Sequence, residues 1–192
     1  MQTLRVLIAD DESIRLLSLR AQLTALGHQV IAEASTGEEA VALAESRQPD
    51  LAILDIKMPR MDGIEAAERI TQMRPIPIIL LTAYSEAQLV ERAAQANISA
   101  YLMKPVSEED LLPAITLALT RFQQFQSLHQ EVADLREALE ARRVIEKAKG
   151  ILMRRLNLTE DEAFRRLQRQ SQESNRKLAQ VAEAIVVADQ ML

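Results

Sequence analysis

At 192 residues the chain has room for one hydrophobic core of roughly 120 residues and a smaller module beside it. Its 48% hydrophobic and 27% charged residues are ordinary for a globular protein, and the absence of cysteine excludes disulfides and thiolate metal sites. The net charge of −5 is uneven: from Glu140 onward eleven Lys/Arg face eight Asp/Glu, whereas the preceding residues hold twelve against twenty, so the tail is the better candidate for a polyanion partner.

The chain opens on an apolar run too short for a signal peptide and ending in acids, and no run approaches the roughly 18 apolar residues of a membrane helix. A cytoplasmic protein with no membrane partner is expected. Short β-branched or aliphatic runs at 6–9, 29–32, 51–54, 78–81 and 100–103 alternate with amphipathic stretches at 13–26, 37–47, 63–73 and 86–95. Runs apolar at nearly every position indicate strands buried on both faces, as in a parallel sheet. Strict strand–helix alternation predicts a doubly wound α/β domain, whose functional crevice lies at the carboxyl ends of the strands.

After Pro105 the strand signals stop. Ser107 and Asp110 can form a capping box for a new helix, and Pro113 in its early turns should kink it or cost a hydrogen bond. Phe125, Leu128, Val132, Leu135 and Leu139 follow at spacings of 3, 4, 3 and 4, a heptad seam. It reads as a coiled-coil homodimer or as one amphipathic helix folded onto its own domain; the length favours the dimer. Asn157 can end this helix, and Thr159-Glu160-Asp161-Glu162 is a capping box opening another. Near Ser174-Asn175 a break precedes a last helix with Leu178, Val181, Ala182, Ile185 and Ala188 on one face. The tail is therefore a small all-α unit of three helices.

Candidate chemistry sits at the strand ends. Asp10 and Asp11 follow the first predicted strand, Asp55 closes the third, Thr82 closes the fourth, and Lys104-Pro105 follows the fifth. Three converging carboxylates repel one another unless a divalent cation joins them, and oxygen-only ligation suits Mg²⁺. A carboxylate beside Mg²⁺ and a lysine ammonium can attack a phosphoryl group, because both cations offset the charge on its oxygens. Thr82 could then hydrogen-bond the acyl phosphate. His28 and His129 lack any partner at metal-ligand spacing and read as surface or packing residues.

Over roughly residues 4–120 these motifs resemble the receiver domains of bacterial response regulators. The likeness rests on Ile8-Ala9-Asp10-Asp11-Glu12, on 54–59 with Met61-Asp62-Gly63, on Leu81-Thr82-Ala83, and on Tyr101-Leu102-Met103-Lys104-Pro105. It implies a flavodoxin-like five-stranded fold over 1–120 in which Asp55 takes the phosphoryl group from a cognate histidine kinase. It further implies that Asp10, Asp11, Asp55 and the Lys57 backbone carbonyl hold Mg²⁺. Thr82 and Tyr101 would be the switch pair, and Lys104 would bind phosphoryl oxygens. Such a protein is not an enzyme beyond its own phosphorylation and dephosphorylation. Pro59 and Gly63 read as turn residues.

On a helical wheel Ala141, Ile145, Ala148, Leu152 and Leu156 share one face, while Arg143, Lys147, Gly150 and Arg154 line the opposite one. Gly in mid-helix costs about 1 kcal/mol against Ala. Either a phosphate or base approaches there, or the face is merely solvated and Gly150 serves helix packing. The tail resembles the ANTAR module of transcription antitermination regulators over about 136–190. The residues concerned are 145–153, 159–164 and 175–182; Ser171-Gln172 departs from the Ala-Met common at that corner. The resemblance implies a module over 141–192 that binds hairpin RNA in nascent transcripts and prevents termination, joined by a linker helix over 121–140. It adds Lys149, Gly150, Arg176 and Lys177 as RNA contacts to Arg143, Lys147 and Arg154 from the wheel. The rivals are a DNA-binding regulator, disfavoured because no basic recognition helix is apparent, and a protein-interaction switch.

Overall fold

Because β-branched and aliphatic side chains at successive positions can be buried only if both faces of a strand are covered, the first half of the chain must build a sandwiched sheet. The computed structural model describes residues 3–83 and 98–190; the helix expected over 86–95 lies outside the described residues. Five parallel strands, β1 (Arg5–Ala9), β2 (Gln29–Ala34), β3 (Leu51–Asp55), β4 (Ile78–Thr82) and β5 (Ala100–Met103), pair in the order β2-β1-β3-β4-β5. Helices α1 (Ser13–Ala25), α2 (Gly37–Arg47) and α3 (Gly63–Met73) connect the first four. Every residue of β3 and β4 is buried.

Alternate residues serve two cores. Leu7, Ala52, Leu54, Ile78 and Leu80 pack with α2 and α3, whereas Val6, Ile8, Leu51, Ile53, Ile79 and Leu81 pack with Leu16, Leu19 and Leu23 of α1. The strand order reverses at β1, which has β2 on one side and β3 on the other. That reversal opens the crevice of a doubly wound sheet above the ends of β1 and β3. His28 is buried, and its Nδ1 accepts from the Leu4 amide at 3.4 Å, a packing role.

The chain divides into two compact units, Met1–Gln126 and Ser127–Leu192. The helix α4 runs from Glu108 to Leu156. In the first unit Leu111, Ala114, Ile115 and Ala118 bury against the α1 side of the sheet. The Asp110 carboxylate receives the Ser107 amide at 3.1 Å, the reach-back arm of the expected capping box. The helix continues through Pro113. Its ring there forfeits one early backbone hydrogen bond, which the packing of the following turns tolerates.

In the second unit the seam positions Leu128 and Leu139 are 59% and 66% exposed, so this face is not buried on its own chain. Three helices follow as expected: the end of α4, α5 (Glu160–Ser174) and α6 (Leu178–Gln190). Asn157 and Asn175 end their helices in the left-handed region at φ 52° and 50°, which Asn tolerates better than most residues. Thr159 and Glu162 form the full capping box. Ala148, Leu152, Ala163, Leu167, Val181 and Ala182 make the core, with Leu178 and Ile185 against it. Two residues of the expected apolar faces, Ala188 and Leu156, are exposed. Leu156 is 46% exposed, while Ile151 is buried and Leu158, beyond the turn at Asn157, packs into the core. The turn removes the last residue of α4 from the wheel's apolar face.

Ile53 is fully buried in the middle of β3. Ile53→Ala is expected to lower the unfolding free energy by about 2–5 kcal/mol in urea denaturation; a loss below about 1 kcal/mol would contradict that placement.

Candidate functional site

Parallel pairing of β1 with β3 sets Ala9 beside Leu54, which forces the residues that follow, Asp10 and Asp55, into neighbouring positions. Both are buried, and with exposed Asp11 they bring carboxylate oxygens within 4.8 Å of one another. Lys104, after β5, reaches across with its ammonium 2.7 Å from Asp55 Oδ1 and 2.9 Å from Asp10 Oδ2. Burial pushes the Asp55 carboxyl above its ordinary value; the hydrogen bond and charge of Lys104 oppose this, Asp10 adds to it, and the Lys57 backbone amide opposes it by a hydrogen bond. An all-oxygen set of three carboxylates fits a hard divalent cation such as Mg²⁺.

The neighbouring expected residues fall around this cluster. Thr82 ends β4, is buried, and its hydroxyl donates to the Ala83 carbonyl at 3.2 Å. The Lys104 amide donates to the Thr82 carbonyl at 2.9 Å, tying the two strand ends together. Tyr101 on β5 pairs with Leu80 and packs into the α2/α3 core. By strand alternation Thr82 and Tyr101 share that sheet face. Burial raises the Tyr101 hydroxyl pKa, and Arg121 opposes the rise. Asp62 caps α3, accepting from the Glu65 amide at 2.8 Å. Gly63 is required for a steric reason, since a Cβ there would run into the Asp55 backbone carbonyl. The start of α3 is thus pressed against the backbone of the central carboxylate.

Arg15 was not anticipated. From the first turn of α1 its guanidinium lies 3.5 Å from Asp10 Oδ1 and 4.0 Å from Asp55 Oδ2, and it pairs with Glu12 at 2.6 Å. A sequence signal existed: the first turn of α1 holds no acid but does hold this arginine, a placement the helix dipole disfavours unless carboxylates lie nearby.

The tail candidates separate by environment. Arg143, Lys147, Arg154, Arg176 and Lys177 are exposed. Among the described residues Arg143 pairs with Glu140 alone, 3.7 Å away. Lys149 is 8% exposed; its ammonium lies 2.9 Å from Glu146, 2.7 Å from Glu160 and 5.9 Å from the centroid of the Phe164 ring. Both carboxylates raise its pKa through hydrogen bonds. A Cβ at Gly150 would meet only Arg154 Nη1, at 3.6 Å, so helix packing does not require glycine there. At the unusual corner, Ser171 donates to the Arg176 carbonyl at 2.6 Å and its own carbonyl receives the Arg176 amide at 3.2 Å. Serine closes the turn that presents Arg176 and Lys177.

The family model of the response regulator receiver domain matches residues 6–116, and that of the ANTAR domain matches residues 133–186. The chain is a response regulator of the ANTAR type. This response regulator is 47% identical over 182 residues to the transcriptional regulatory protein PdtaR of Mycobacterium tuberculosis, spanning 95% of this chain and 89% of that one. It is 42% identical over 120 residues to the positive alginate biosynthesis regulatory protein of Pseudomonas aeruginosa, spanning 60% and 47%. Among solved structures, the signal receiver domain of a modulated diguanylate cyclase from Desulfovibrio desulfuricans is 34% identical with a TM-score of 0.60, covering 64% of this chain and 98% of that one. A chain of the CheX–CheY–BeF3–Mg²⁺ complex from Borrelia burgdorferi is 30% identical with a TM-score of 0.55, covering 58% and 85%. Receiver domains take phosphoryl groups from histidine kinases and bind Mg²⁺ at an acidic pocket, and ANTAR domains bind RNA. The family is one of regulators, not enzymes. Among the described residues no helix is long and apolar enough to cross a membrane.

A raised carboxyl pKa at Asp55 makes the folded chain hold its proton to higher pH than the unfolded chain does. Stability is then lost as pH rises above 3.8 through the folded value. In EDTA, Asp55→Asn is expected to be more stable than the parent at neutral pH, with the gap closing on acidification toward 3.8. Chemical denaturation across pH measures this, and a gap that widens on acidification would refute it.

Proposed function

We propose that this regulator is a phosphorylation-controlled antiterminator of the cytoplasm that binds hairpin RNA in nascent transcripts. The observation that carries the receiver half is the Lys104 ammonium bridging the buried Asp10 and Asp55 carboxylates, with Asp11 beside them. In this reading an Asp55 carboxylate oxygen attacks phosphorus as the bond to the donor histidine nitrogen breaks, and the imidazole leaves. Lys104 turns from Asp10 to the transferred phosphoryl oxygens. Asp10, Asp11, Asp55 and the Lys57 carbonyl hold Mg²⁺, which supplies charge neutralisation of the phosphoryl oxygens when bound. Thr82 donates its hydroxyl to the acyl phosphate, and Tyr101, on the same sheet face, follows it inward.

For the tail, the supporting observation is a set of exposed cations beside a glycine that the fold does not need. Arg143, Lys147, Arg154, Arg176 and Lys177 contact phosphates, and Gly150 admits the RNA close to the helix backbone. Lys149 joins them only by exchanging Glu146 or Glu160 for a phosphate. We assign the receiver to 1–120, the linker helix to 121–140 and the RNA-binding module to 141–192. The exposed Leu128, Val132, Leu135 and Leu139 take a second copy as a coiled coil. Two linked modules then engage two hairpins, raising affinity through effective concentration.

Binding of the full chain to a two-hairpin leader RNA, with and without Mg²⁺ and a small phosphoryl donor, tests this. Affinity is expected to rise on phosphorylation, to lose that rise in Asp55→Ala, and to fall steeply with salt. Duplex DNA competing as well as hairpin RNA would overturn the RNA reading.

Gly150→Ala separates folding from binding. It is expected to stabilise the chain by about 0.5–1 kcal/mol while weakening RNA binding about three- to tenfold. Equal RNA binding by the two chains would remove Gly150 from the contact surface.

A further inference from the structure

Two cations, not one, face the acidic cluster, and they divide its oxygens between them. Lys104 takes Oδ1 of Asp55 and Oδ2 of Asp10. Arg15 faces the other oxygen of each: its Nη1 is 3.5 Å from Asp10 Oδ1 and 4.0 Å from Asp55 Oδ2. A third ion that approaches Asp10 and Asp55 opposite Lys104 therefore meets the oxygens that Arg15 faces. The guanidinium is steered there by Glu12, which holds Nη2 at 2.6 Å and whose own amide donates to Asp10 Oδ1 at 3.0 Å.

We propose that Arg15 is a built-in competitor for the divalent cation, and that it sets how much cation the receiver needs before it can be phosphorylated. The inference rests on the acceptor-site reading given above. An oxygen-bound Mg²⁺ lies about 2.1 Å from each ligand atom. A guanidinium nitrogen already near two of those atoms then sits within a few ångströms of a doubly charged ion, a strong repulsion at a half-buried site. Binding of the cation must displace Arg15. The arginine side chain is 43% exposed, so its way out to solvent is open. Glu12, 51% exposed, can leave with it as an ion pair.

The undisplaced state, with Arg15 against the carboxylates, explains the placement of a cation at a helix N-terminus, where the dipole works against it. Without a divalent ion, Arg15 and Lys104 together offset the repulsion between the adjacent buried Asp10 and Asp55. With the ion bound, that task passes to the ion. Arg15 is thus a positioning residue for the acceptor chemistry. A surface ion pair between Arg15 and Glu12 alone would make no difference to cation affinity.

Calorimetric titration of MgCl₂ into chelator-stripped full-length protein decides the matter, with Arg15→Gln, Arg15→Lys and Asp55→Asn alongside the parent and far-UV dichroism to confirm folding. Arg15→Gln is expected to bind Mg²⁺ about three- to tenfold more tightly than the parent. Arg15→Lys, with its charge retained on a shorter donor, is expected between the two. In EDTA, Arg15→Gln should melt below the parent and recover more on adding Mg²⁺. Equal or weaker affinity in Arg15→Gln, with binding still lost in Asp55→Asn, overturns the role of Arg15 and leaves the acceptor site standing. No Mg²⁺ binding by the parent and Arg15→Gln alike overturns both.

Discussion

The arrangement of the first unit depends on one constraint, the placement of two buried carboxylates on adjacent strand ends. β1 and β3 are neighbours because the strand order reverses at β1, so Asp10 and Asp55 cannot avoid each other. Burial alone pushes the Asp55 carboxyl above its ordinary value. The Lys104 ammonium, brought from the far end of β5 and fixed by its amide to the Thr82 carbonyl, holds both. That bond also joins the site to the strand that bears Thr82.

The fold was legible because its signals are local. Runs apolar at every position can be nothing but doubly covered strands once amphipathic segments alternate with them, and the acids stand where those runs end. The three-helix tail was legible from its caps: Asn157, Thr159 with Glu162, and Asn175 act through backbone geometry within a few residues. What escaped were side chains that reach. Arg15 acquires meaning only from the direction in which α1 leaves the sheet. Lys149 lies at the edge of the apolar face on a wheel, yet its four-carbon stem lets the ammonium fold back to Glu160, eleven residues on, and over Phe164. The exposure of Leu156 likewise follows from a turn, which no wheel contains.

The tail's cations fall into two groups with different physical roles. Lys149 with Glu160 and Arg155 with Asp189 are ion pairs between helices, and each ties α4 to one of the other two. Arg143 pairs with Glu140 one turn away on an exposed surface, a kind of contact worth little. Among the described residues Arg142, Lys147, Arg154, Arg165, Arg166, Arg169, Arg176 and Lys177 make no ion pair. A basic excess that the fold had used internally would leave little for a polyanion. Here the fold uses two of the eleven across its helix contacts, and most of the remainder faces solvent.

Gly150 sharpens that argument because it sets fold against function at one position. Glycine in mid-helix forfeits about 1 kcal/mol against alanine, and a helix interface that excluded a methyl group would account for it. Among the described residues no such interface is present, since the space where a Cβ would stand is open but for the end of Arg154. Among the described residues, packing at that position does not offset the loss. The open backbone of α4 there is flanked by Arg143, Lys147 and Arg154. In the proposed RNA reading, a phosphate backbone would be drawn by those cations, and its close approach is what a missing side chain permits.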